Sequence, residues 1–133
     1  MSLEKLVSEY GDFQKRQAEA VKELRVNFPP ILAPLFVKHP WVESVMWRQC
    51  EPWNDGDETE FEVLCGAERI NINDLEWYDD EVYEDEAKKD VFKEFSAALE
   101  EVPIEIMKAL FGESNQIEVK KSGEIFVTEY NDG

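Results

Sequence analysis

Between Asp74 and Glu86, eight of thirteen residues are acidic and none is basic. The acids are Asp74, Glu76, Asp79, Asp80, Glu81, Glu84, Asp85 and Glu86, and the aromatics Trp77, Tyr78 and Tyr83 are interleaved with them. Carboxylates at this density repel one another and lose hydration on burial, so the run must lie on a solvated face or against a cationic partner. Any fold has to turn this stretch outward and assemble its core from the segments on either side.

Those segments suffice for a core. The chain has 133 residues and is 43% hydrophobic, which predicts one ordered domain over residues 1–133 despite a formal net charge of -17. An excess of 31 acids over 14 bases argues against direct contact with a nucleic-acid backbone, because phosphates would be repelled throughout the approach. The partner that charge favours is a basic protein. The longest apolar stretch, Pro29 to Val37, is too short to cross a bilayer, and the N-terminus carries no basic segment followed by an apolar core. The expectation is a soluble, cytoplasmic protein without a membrane partner. Cys50 and Cys65 are too few for a disulfide framework and read as buried thiols.

From Ser2 to Asn27, Leu3, Leu6, Tyr10, Phe13, Gln17, Ala20 and Leu24 recur at alternating steps of three and four, the period of a helix with one apolar stripe. Ser2 suits the N-cap, while Gly11 inside the helix costs about 1 kcal/mol relative to alanine. This helix is expected to pack on its own domain; the alternative use of the same stripe is a homodimer or a partner helix. Pro29 and Pro30 suit the first turn of a second helix, Ile31 to Lys38, which Pro34 should shorten or break. His39-Pro40 marks its exit. His39 is the only histidine and, with no nucleophile beside it in sequence, reads as structural or solvated and not catalytic.

A hairpin follows: Trp41 to Glu51, the turn Asn54-Asp55-Gly56-Asp57, then Glu58 to Ala67. With Asp55-Gly56 at the tip, Cys50 pairs with Phe61, Arg48 with Val63 and Met46 with Cys65. Met46, Cys50, Phe61, Val63 and Cys65 then face the helices, with Arg48 escaping at an edge. Gln49, Glu51, Glu60 and Glu62 share the wet face with Trp47 and Leu64. Beyond the acidic run, a helix from Glu84 to Glu101 carries Val91, Phe92, Phe95 and Leu99 on one side, continued by Val102, and Glu84, Asp85 and Glu86 in its first turn, where the helix dipole offsets their charge. A short helix from Pro103 ends at Phe111-Gly112. Strands Gln116 to Lys120 and Glu124 to Tyr130 close the chain. The predicted fold is α+β, two antiparallel hairpins in one sheet with helices on one face, in the order ααββααββ.

The segment Trp47-Arg48-Gln49-Cys50-Glu51-Pro52-Trp53-Asn54-Asp55-Gly56-Asp57, followed by Phe61-Glu62-Val63, resembles the central signature of a family of small uncharacterised bacterial and phage proteins. Members of that family read Trp-x-Gln-Tyr-x-Pro, one or two aromatics, then Asn-Asp-Gly-Asp and an alternating strand. Val102-Pro103, Ala109-Leu110-Phe111-Gly112 and Val127-Thr128-Glu129-Tyr130 are similar to its closing pattern. The likeness covers roughly residues 41 to 67 and 91 to 130. This chain departs from it at Cys50, where tyrosine is usual, at Thr59, where cysteine is common, and at Asn131-Asp132, where the family ends Asp-His. The resemblance implies the fold and carries no activity.

Motifs of chemistry are not found. Gly56 lies between Asp55 and Asp57, which is not the spacing of a calcium loop. His39, Cys50 and Cys65 lack zinc-ligand spacing. In a chain with 31 acids, a close carboxylate pair arises by chance and says nothing about hydrolysis. The sequence has no phosphate loop, nucleophile elbow or metalloprotease motif. It is therefore read as non-enzymatic, without metal or cofactor. Two function classes fit. One is a protein-binding module whose carboxylates imitate nucleic-acid phosphates in the basic groove of a DNA- or RNA-handling protein, with Trp77, Tyr78 and Tyr83 as apolar anchors. The other is a small structural domain whose acidity serves only solubility.

Overall fold

The computed structural model describes residues 2–50 and 61–129. Two helices come first, α1 (Leu3–Arg25) and α2 (Pro29–Lys38). Strands β1 (Ser44–Cys50), β2 (Glu62–Leu64), β3 (Asn71–Ile72) and β4 (Leu75–Glu76) follow. Then come α3 (Asp80–Tyr83), α4 (Glu86–Glu100), α5 (Ile104–Phe111), β5 (Asn115–Lys120) and β6 (Ile125–Glu129). The class is α+β with one antiparallel sheet, and the order departs from ααββααββ by a second small hairpin and an extra helical turn.

Strand β1 is central. It pairs with β5 along one edge, from Ser44↔Lys120 to Gln49↔Asn115, and with β3 and β2 in succession along the other. β4 and β6 lie at the two ends of the path. Alternation along β1 and β5 puts Val45, Trp47, Gln49, Ile117 and Val119 into the core, while Met46, Arg48, Gln116 and Glu118 are half-buried on the other face.

This corrects the expected hairpin. Arg48 pairs with Leu64, Gln49 with Val63 and Cys50 with Glu62, one residue out of the expected register, which inverts β1 against β2 while Val63 and Cys65 keep the expected core side. Trp47, expected on the wet face, is fully buried and packs with Phe28 and Phe111 at centroid distances of 5.6 Å each. Cys65 belongs to the core cluster, whereas Cys50 projects from the opposite parity of β1; both are buried and form no disulfide. Arg48 is not at a sheet edge, and its Nε donates to Gln116 Oε1 at 3.2 Å. The Asn54–Asp57 turn, with the residues from Glu51 to Glu60, lies outside the described residues.

Gln49 explains why the inverted face is tolerated. Its amide is fully buried, donates to the carbonyls of Met107 (2.9 Å) and Gly112 (2.7 Å), and accepts from Trp47 Nε1 (3.3 Å). A buried amide whose hydrogen bonds are made loses little by leaving water.

Helix α2 is continuous through Pro34, contrary to the expected break. The donor that Pro34 lacks would have served the carbonyl of Pro30, an exposed residue that water can satisfy. Leu32 and Phe36 anchor α2 in the core, Phe36 edge-on to Phe95 of α4 at 5.3 Å. At its C-cap, His39 Nε2 and the Lys38 ammonium both engage the Glu94 carboxylate, so the lone histidine ties α2 to α4.

Helix α1 departs most from expectation. Ser2 caps it as anticipated, accepting from Lys5 N at 3.3 Å. Yet every residue from Ser2 to Ala20 is exposed, so the stripe does not pack on its own domain. The helix is fixed at its C-terminal end, where Arg25 Nε donates to the carbonyl of Leu110 at 2.7 Å and the guanidinium lies over Phe111.

Candidate protein-binding surface

The acidic run is an ordered surface built from three short elements. Its first part is the tip of the β3–β4 hairpin, where Asn73 (φ 54°) and Asp74 (φ 64°) both adopt the left-handed conformation of a tight hairpin turn. Asn and Asp tolerate this better than other L-residues. The Asn73 side chain also ties the turn to the start of β1: Oδ1 accepts from the amides of Glu43 (2.7 Å) and Ser44 (3.1 Å), and Nδ2 donates to the carbonyl of Trp41 (2.9 Å).

The acids divide by role. Asp79 Oδ2 accepts from the Glu76 amide at 2.8 Å and closes the turn after β4. Asp85 is the N-cap of α4, accepting from the amides of Ala87 (3.0 Å) and Lys88 (3.3 Å). Asp74, Glu76, Asp80, Glu81, Glu84 and Glu86 are exposed. The run thus holds two carboxylates that build the scaffold and six that face solvent.

The aromatics divide likewise. Trp77 is half-buried and packs edge-on to Phe92 of α4 at 6.2 Å, while Val82 is fully buried beneath α3. Tyr78 and Tyr83, 61% and 50% exposed, stack on each other with centroids 6.0 Å apart and planes 27° from parallel. The Tyr78 hydroxyl is bound to the Glu68 carboxylate, which holds it protonated above its ordinary range.

Against Tyr83 and Trp77 lies a cation that the acidic run does not contain. Lys89 Nζ sits 4.1 Å from the Tyr83 ring centroid and 5.6 Å from that of Trp77, and 3.7 Å from Glu86 Oε1, with its side chain only 15% exposed. Sequence reasoning missed it because Lys88 and Lys89 begin just past the run, one helical turn from Asp85; the helical period was the signal that could have found it. Among the described residues, no group of three or more His, Cys, Asp or Glu side chains is arranged to hold a metal ion, and no helix is long and apolar enough to cross a membrane.

No protein-family model matches the chain, and the comparisons with curated proteins and solved structures give no match either.

Proposed function

We propose that this protein is a non-enzymatic binding module whose segment Asp74–Glu86 docks a cationic protein surface of the kind that DNA- and RNA-handling proteins carry. The observation that carries the reading is the exposed Tyr78–Tyr83 stack set among six solvent-facing carboxylates. Acids kept only for solubility need no ordered aromatic pair at their centre, and an exposed apolar stack costs hydration unless a partner covers it. Carboxylates draw a basic partner quickly and release its counterions, while the tyrosines supply desolvated contact area at low entropic cost. An incoming arginine or lysine can stack on the exposed Tyr78 ring, as Lys89 already does on Tyr83.

The test compares three baits in affinity capture at low and high salt: the wild type, Asp80→Asn/Glu81→Gln/Glu84→Gln, and a control with equal charge loss elsewhere, Glu105→Gln/Glu124→Gln/Glu129→Gln. Wild type and control are expected to retain the same basic partner at low salt and release it at high salt, with the segment variant losing it. Equal retention by all three baits would instead discard this segment as the contact, and capture of nothing specific by any bait would support acidity that serves only solubility.

A further inference from the structure

The exposed stripe of α1 calls for an occupant, and its charges identify one. Leu3 is 75% and Phe13 53% exposed, with Leu6, Val7 and Tyr10 between these values. Most of a helix's stability in a protein comes from packing its apolar face, and this face is uncovered. The steps of three and four are an unbroken heptad seam, with Leu3, Tyr10, Gln17 and Leu24 at one core position and Leu6, Phe13 and Ala20 at the other. Glu9, Arg16 and Glu23 flank one side of it, and Val7, Gln14 and Val21 the other.

Charge is partitioned between this helix and the rest of the molecule. Within Leu3–Arg25 the acids Glu4, Glu9, Asp12, Glu19 and Glu23 are matched by Lys5, Lys15, Arg16, Lys22 and Arg25, so the helix is neutral and the whole formal charge of -17 resides elsewhere. Two copies of so acidic a chain repel each other over most of their surface, and α1 is a long segment where they do not.

We propose that α1 pairs with α1 of a second copy of this chain as an antiparallel coiled coil in one register. Seating Tyr10 opposite Phe13 of the partner subunit places Leu6 opposite its Gln17 and Leu3 opposite its Ala20. Glu9 then faces Arg16 of the partner subunit, twice by symmetry. Sliding by one heptad either way sets Glu9 against Glu9 or Arg16 against Arg16, which excludes those registers by like charge. A parallel pair would leave Glu9 facing Gln14 and Arg16 facing Val21, with no ion pair, and would crowd two acidic bodies together at one end. In this register the antiparallel pair holds the two Arg25 ends apart by roughly 40 Å, at about 1.5 Å per residue, several Debye lengths at physiological salt. The seam also continues past Leu24 into an apolar groove of about 510 Å³ lined by Phe28, Ile31, Val102, Ile106 and Leu110, which begins one turn beyond Ala20, where the partner helix starts.

Sedimentation equilibrium of the full chain tests this. The wild type is expected at twice the 15.5 kDa chain mass. Phe13→Asp, at an exposed position outside the core, should run as a monomer with unchanged thermal unfolding of the body. Glu9→Arg alone and Arg16→Glu alone should each weaken the dimer about tenfold or more, since each sets like charges together at two places. Mixing these two variants in equal amounts should restore it as a heterodimer. A wild type monomeric at tens of micromolar overturns the proposal, and so does a dimer indifferent to both reversals.

Discussion

Gln49 is the residue on which the choice of sheet face turns, because three hydrogen bonds to Trp47, Met107 and Gly112 converge on its amide. Gln49→Ala strands an indole N–H and two carbonyls, and urea unfolding should show a loss of about 2–4 kcal/mol. The sequence could not reveal this, since glutamine in a strand reads as solvent-facing until its partners are known. Cys65 offers a second check. Burial, with Glu100 adding to it, pushes its thiol up to about 11, so the thiolate is scarce near neutral pH. In a Cys50→Ser background, Cys65 should resist thiol reagents at pH 8 in the native state and react promptly in urea. At Glu94, the Lys38 ammonium and the His39 ring hold the carboxyl below its ordinary value. A carboxylate with a lowered folded value contributes stability above its unfolded value of 4.5 and loses it as pH falls through the folded one. Glu94→Gln should therefore flatten the acid limb of the stability profile below about pH 4.5.

At the scale of elements, periodic segments were legible and turn-built ones were not. The stripes of α1, α4 and α5, the Ser2 cap, the Phe111-Gly112 stop and the β5–β6 hairpin all follow from spacing and end chemistry. The β3–β4 hairpin was missed because two-residue strands have no readable period, and its Asn73-Asp74 turn lay hidden within a charge run. The register of β1 against β2 was lost because Val45, Met46 and Trp47 are apolar on both parities, leaving alternation no preference. Two element-level substitutions separate the scaffold from the contact surface. Asn73→Ala removes three hydrogen bonds and retains an unfavourable left-handed backbone, for a loss of about 2–3 kcal/mol by denaturant titration. Asp85→Ala should cost about 1 kcal/mol as a lost helix cap, whereas Glu84→Gln, at an exposed residue beside it, should leave stability unchanged.

For the whole molecule, the sequence showed where charge is dense but not how it is distributed in space. That the acidic run faces out was legible from its composition. That Asp79 closes a turn and Asp85 caps a helix, that Trp77 turns inward, and that Lys89 lies over the Tyr83 ring depend on how α4 packs against the run. The surface is divided between a neutral helix with an exposed apolar stripe and an acidic body, and one of the two proposed contacts lies on each. Hydrogen–deuterium exchange, measured with and without the protein that the wild type retains at low salt, tests the second surface most directly. The account predicts slowed exchange of the amides from Glu76 to Glu86, with α5 and β6 unchanged. A footprint lying elsewhere, or spread evenly over the acidic faces, would contradict it.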